Sequence, residues 1–277
     1  MSKSIYTLLL FWFSITFLSA QSETKFVSTS LGEIAYDINE VDNTTPIIFL
    51  HGVYLDRHLW KEIKNQFADH TTIVIDMPLH GESKDITKKD WTMADCSAML
   101  IELLDELQIE SCIAVGHSWG SMVILRAASN HPDRFQGIGL CNLPLKAGDF
   151  WTKVQFGFIH GALVFKKFFI KQTIRKIVAK ESRKKMPEIS GYITSTMANL
   201  SKREIKKTNK EVITNVDDGH QYFDLIKIPM LLIKGEKDKV PKLDSDQLIV
   251  VPGKHISPLE APDEVIKMIR QLMIIKE

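Results

Sequence analysis

Apolar and polar positions alternate in two rhythms along most of the chain. Short runs without a polar face, Ile47-Ile48-Phe49-Leu50, Thr72-Ile73-Val74-Ile75, Cys112-Ile113-Ala114-Val115 and Ile138-Gly139-Leu140-Cys141, are separated by polar stretches. Such runs fit strands buried on both sides, as in a parallel sheet. Between them, residues 91–107 repeat apolar positions at helical spacing, with Met99, Leu100, Leu103, Leu104 and Leu107 on one face. Further helices are predicted at 59–68 and 121–128. Upstream, 26–28 and 34–38 alternate around Leu31-Gly32-Glu33 and read as an antiparallel hairpin at a sheet edge. Strands at 229–235 and 247–251 and a helix from 258 to about 275 close the chain. Strands alternating with helices predict an α/β fold, a mostly parallel sheet of about eight strands with helices on both faces.

The rhythm stops over residues 143–222, which contain no convincing strand. This stretch is helical in tendency and carries 16 Lys and Arg against 7 Asp and Glu, a net of +9. Its first part is dense in aromatics, from Phe150-Trp151 to Phe168-Phe169. It reads as a helical cap inserted over the strand ends, with 21–142 and 223–277 as the core. The whole chain is 277 residues with a net charge of +1, which offers no general attraction for nucleic acid. The basic cap would suit an anionic substrate or contact with a membrane surface. The run Arg183-Lys184-Lys185 reads more simply as a solvated face. A small-molecule substrate is expected, and no protein partner is inferable.

The N-terminus has the physical parts of a secretory signal peptide over 1–20: Lys3, an apolar core at 8–18, and the small residues Ser19-Ala20. Its core is short for a membrane span, which needs about 20 residues. Export to a periplasmic or extracellular space after cleavage at Ala20 is expected; retention by an uncleaved anchor is the alternative. The three cysteines, Cys96, Cys112 and Cys141, fall on separate predicted elements and read as buried small hydrophobes. No Cys or His spacing suits a metal, and no cofactor is expected.

The chemistry gathers where strands end. Gly116-His117-Ser118-Trp119-Gly120 lies between a Val/Ile strand and a helix. A Gly-x-Ser-x-Gly at such a junction is a nucleophile elbow, a turn tight enough to exclude side chains two positions either side of the serine. His51-Gly52 follows an earlier strand, Asp76 to Ser83 the next, Lys234 to Pro241 a late one, and Gly253-Lys254-His255 with Glu260 the last. In that order these residues resemble the α/β-hydrolase family from about residue 24 onward. The resemblance implies a serine hydrolase with Ser118 as nucleophile, His255 as base and Asp238 as the acid that orients it. It implies an oxyanion hole from the backbone N–H groups of Val53 and Trp119. His51, Tyr54, His117, Phe150 and Trp151 would line the substrate pocket, although His51 reads first as a loop histidine, as does His80. Sixteen residues separate Asp238 from His255, room for one short turn before the last strand, and Asp244 stands as the other acid.

A serine at the elbow points to acyl transfer to water. The leading expectation is cleavage of a carboxylic-ester-type bond of a small, partly hydrophobic substrate through an acyl-enzyme. A C–C bond hydrolase, an aminopeptidase or a non-catalytic ligand-binding relative are the alternatives. The aminopeptidase would want acidic cap residues to hold an amine, and this cap is basic. For the N-terminus, expression in a secreting host should yield mature protein whose mass begins at Gln21. Intact residues 1–20 on a membrane-bound product would contradict cleavage.

Overall fold

The computed structural model describes residues 24–146, 163–243 and 245–275. The predicted signal peptide, Phe150, Trp151 and Asp244 lie outside the described residues. Eight strands form one sheet: β1 Lys25–Thr29, β2 Gly32–Asn39, β3 Ile47–Leu50, β4 Thr72–Ile75, β5 Cys112–His117, β6 Phe135–Cys141, β7 Met230–Gly235 and β8 Leu248–Val251. Their spatial order is β1-β2-β4-β3-β5-β6-β7-β8. β1 and β2 form the predicted edge hairpin, β2 meets β4 antiparallel, and every later pairing is parallel. The order reverses between β3 and β5, since β4 lies on one side of β3 and β5 on the other. Open α/β sheets leave a crevice at such a reversal, beyond the carboxyl ends of the strands.

Helices cover both faces. α1 (Lys61–Lys64) continues from a 3₁₀ turn over Arg57–Trp60 into another over Asn65–Phe67. The helix predicted at 59–68 is thus three short pieces. Its start is pinned from within, because the Arg57 backbone N–H donates to Asp76 at 2.7 Å. α2 (Met93–Glu106) begins at a capping box in which Thr92 and Asp95 satisfy each other's backbone N–H. Met99, Leu100, Leu103 and Leu104 are buried on the predicted face. α3 (Trp119–Asn130) follows β5 at once and is buried along most of its length.

Residues 163–223 are helical: α4 (Lys166–Ile177), α5 (Lys180–Lys185), α6 (Pro187–Asn199), α7 (Lys202–Asn209), one π turn over Lys210–Thr214 and α8 (His220–Phe223). The single closing helix expected from Pro258 is two, α9 (Ser257–Glu260) and α10 (Pro262–Ile274). Pro262 lacks the N–H that would continue α9, and the chain turns before it. One hydrophobic layer packs α2 and α3 on the sheet. The other packs Trp60, Ile63, Phe67 and α10 on the opposite face and continues into the cap through Phe169, Ile193 and Met197. The three cysteines are free and buried, and burial raises each thiol, Cys112 to about 12.

A buried ion cluster joins the edge hairpin to the loop after β4. Arg57 donates to Asp37 at 2.9 Å, to Glu82 at 2.8 Å and to the fully buried Asp76. Asp76 also accepts from the Glu82 backbone, and the Ser83 hydroxyl donates to the Asp76 carbonyl while accepting from Ala35 N–H. Replacing Arg57 with Met leaves two buried carboxylates without their cation. The expected loss is about 3–5 kcal/mol of unfolding free energy by urea titration. A loss below 1 kcal/mol would show that the cluster does not hold this corner.

Candidate active site

Ser118 follows β5 and stands at the N-cap position of α3, with φ +50° and ψ −106°. Few residues with a side chain tolerate this backbone, and the neighbours enforce it. A Cβ on Gly116 would lie 2.4 Å from Ser121 N, and one on Gly120 would lie 2.2 Å from the Leu50 carbonyl oxygen. Only glycine fits between strand and helix at both points. The Ser118 N–H donates to the Cys141 carbonyl at 2.8 Å, which fastens the turn to β6.

His255 sits after β8, with Nε2 3.0 Å from Ser118 Oγ. Its Nδ1 lies 3.1 Å from Asp238 Oδ1 and 3.0 Å from Oδ2. Asp238 follows β7 on a short turn, and no helix separates it from β8 among the described residues. Both carboxylate oxygens have a second donor, Val240 N–H at 3.1 Å and Asn142 Nδ2 at 2.8 Å. Burial acts to raise the Asp238 carboxyl; the hydrogen bond and charge of His255, with these two donors, outweigh it and hold the group at about 2. Asp238 is therefore a carboxylate at neutral pH, and the Nδ1–H of His255 donates to it.

The loop after β3 comes against the elbow. Gly120 N–H donates to the His51 carbonyl at 3.2 Å, and a Cβ on Gly52 would lie only 3.1 Å from Ser118 Cβ. Neither the N–H of Val53 nor that of Trp119 is taken up by another described residue. The Trp119 side chain is fully buried and stacks on Trp91 at 5.7 Å.

The remaining predicted residues have distinct positions. His51 is enclosed, its Nδ1–H donating to the Gly52 carbonyl at 2.7 Å and its Nε2 accepting from Met77 N–H at 2.9 Å. With both nitrogens engaged by backbone, it shapes the loop. His80 does the same, donating to Pro78 O at 3.0 Å and accepting from Tyr54 N–H at 3.0 Å. His117 donates from Nε2 to the His255 carbonyl at 2.6 Å. Tyr54 is buried, with its hydroxyl bonded to Asn209 of α7 and its ring against Phe169 of α4.

The cap is fastened to both sides of the crevice. Tyr192 of α6 donates to Asp56 at 2.9 Å beside the β3 loop. At the other side His255 N–H donates to the Ile177 carbonyl at 2.9 Å. Glu260 accepts from Ala179 N–H at 2.8 Å and from Lys254 N–H at 2.7 Å, bridging the cap to the histidine loop. In the sequence Glu260 stands near the last loop without a role of its own, and nothing there singles out Asn142.

Residues 45–246 match the alpha/beta hydrolase fold family. The chain belongs to that family. A 2-succinyl-6-hydroxy-2,4-cyclohexadiene-1-carboxylate synthase of Escherichia coli is 32% identical over 102 residues, 37% of this chain and 38% of that protein. The chain thus matches well under half the length of such curated relatives. Among solved structures, an esterase from Thermogutta terrifontis superposes with a TM-score of 0.79 at 20% identity, covering 92% of this chain and 99% of that one. The enol-lactonase from Burkholderia xenovorans superposes with a TM-score of 0.79 at 17% identity, covering 90% and 100%. At these identities the likeness establishes the α/β-hydrolase fold.

The buried histidines give this hydrolase fold an acid limit. Burial lowers the rings of His80 and His117 to about 3 each from an ordinary 6.5, and lowers His51 as well. The unfolded chain therefore takes up protons that the native state refuses. Their contribution is complete above about pH 6.5 and is lost as pH falls toward 3, at up to about 1.4 kcal/mol per pH unit for each ring. Asp238 adds to the loss only below about pH 4. Urea midpoints should fall between pH 6.5 and 4.5, and His80→Gln should reduce that slope by about one proton. A flat profile over this interval would contradict neutral burial.

Proposed function

We propose that this chain is a serine hydrolase that cleaves a carboxylic-ester-type bond of a small, partly hydrophobic substrate through an acyl-enzyme. The observation that carries the reading is the unbroken hydrogen-bonded line from Ser118 Oγ through His255 to Asp238. A neutral hydroxyl is a poor nucleophile, and it needs a base within this distance. As Ser118 Oγ attacks the carbonyl carbon, His255 Nε2 takes its proton. Asp238 faces the imidazolium that results. The carbonyl oxygen becomes an oxyanion at the turn between Val53 and Trp119, whose N–H groups would receive it. Collapse expels the alcohol with the proton from His255. Water then repeats the sequence on the acyl-enzyme, with His255 again as base, and releases the acid and free Ser118.

The non-catalytic alternative has less support. Binding alone does not require a serine in a strained turn against a histidine whose far nitrogen faces a buried carboxylate. Short acyl esters are suitable first substrates. Ser118→Ala should lower kcat/KM on a p-nitrophenyl ester by about 10⁴-fold or more, with the circular dichroism spectrum unchanged. Asp238→Asn should cost about 10³–10⁴-fold, whereas Asp244→Asn should stay within a few-fold. Wild-type turnover in Ser118→Ala would overturn the proposal, and a larger loss at Asp244 than at Asp238 would overturn the acid assignment.

A further inference from the structure

Asn142 is the residue that follows β6. It is fully buried and left-handed, with φ +54°. Its backbone N–H donates to Ile233 O at 2.7 Å, so it stands where β6 leaves β7. From there the side chain reaches three other segments. Nδ2 donates to Asp238 Oδ2 at 2.8 Å and to the Lys254 carbonyl at 3.0 Å; Oδ1 accepts from Ser257 N–H at 3.1 Å. The orientation of the amide is set by chemistry. Both partners of the nitrogen are acceptors and the partner of the oxygen is a donor, so a reversed amide would face two oxygens with an oxygen.

We infer that Asn142 is a positioning residue that sets the acid and the base of the site relative to each other; the inference rests on the serine-hydrolase reading above. The turn bearing Asp238 is short and has no helix behind it among the described residues. A carboxylate at the tip of such a turn could rotate about its χ angles. Asn142 fixes one oxygen and Val240 N–H the other, which leaves both facing Nδ1 of His255. The same amide holds Lys254, the residue before His255, and Ser257, two residues beyond it. One side chain thus ties the acid loop and both flanks of the base loop to the end of a central strand. A charge-assisted donor on the carboxylate also tempers its pull on the imidazole proton, since a hydrogen bond to the charged form stabilises that form.

Two variants separate this role from a purely structural one. Asn142→Gly keeps the left-handed backbone and removes the amide. It should lower kcat about 10–100-fold with KM nearly unchanged, the loss expected for one charge-assisted contact felt mainly in the transition state. Asn142→Asp keeps the shape and the acceptor for Ser257 but turns an oxygen toward Asp238 and the Lys254 carbonyl. Two buried carboxyl groups at this distance hold one proton between them, so a fixed donor is replaced by a shared proton and kcat should again fall. Histidine NMR reads the same geometry without turnover. Both exchanges should shift the His255 Nδ1 proton signal, and Asn142→Gly should also broaden it by faster exchange with water. If wild-type protein neither turns over esters nor is altered by Ser118→Ala, the hydrolase reading fails while these spectra still test the positioning. Wild-type kcat in Asn142→Gly, or unmoved His255 signals in both variants, would overturn the inference.

Discussion

The backbone of Ser118 is held where a residue with a side chain resists going, and the candidate site depends on that constraint. Strain of this kind costs on the order of 1–3 kcal/mol and persists only when the surroundings leave no alternative. Here β5 lies between β3 and β6, α3 is buried behind it, and Gly116 and Gly120 remove the two Cβ atoms that would prevent the approach. Relaxing the turn would move Oγ away from His255 and the first turn of α3 away from the crevice. The strand–helix packing therefore supplies both the strained serine and the oriented N–H of Trp119.

The other groups stand on loops, and each loop is tied by a buried polar side chain. His51 and His80 hold the segments after β3 and β4 through backbone groups. His117 holds the carbonyl of His255, Asn142 binds the Asp238 loop to the His255 loop, and Glu260 binds the His255 loop to the cap. Such contacts are suited to burial because each side chain satisfies backbone groups that the irregular loops leave unpaired. Three of these ties are neutral histidines. The same enclosure that makes them effective struts makes acid their weakness.

The sheet, the hairpin edge and the elbow were legible because they rest on local signals: apolar runs, alternation, and glycines at fixed offsets from one serine. Ser118, Asp238 and His255 were legible as strand-end residues, and the structure sets both Ser118 and Asp238 within hydrogen-bond distance of His255. Less was visible where long-range contacts decide. The piece at 57–67 is broken because Arg57 is drawn to Asp76, nineteen residues away. The closing helix divides because Ala261 precedes a proline, a local signal that apolar periodicity overrode. Asn142 gave no signal at all. Nothing in Cys141-Asn142-Leu143-Pro144 marks an amide whose partners lie 96 to 115 residues further along.

If the fold makes the Ser118 hydroxyl nucleophilic, an electrophile that needs an activated serine will find it. This is tested most directly by treating folded protein with a fluorophosphonate and mapping the adduct by mass spectrometry. One added phosphonyl group is expected on the peptide containing Ser118, and none in protein denatured beforehand. An unlabelled folded protein beside a labelled reference serine hydrolase, or an adduct confined to another residue, would contradict it.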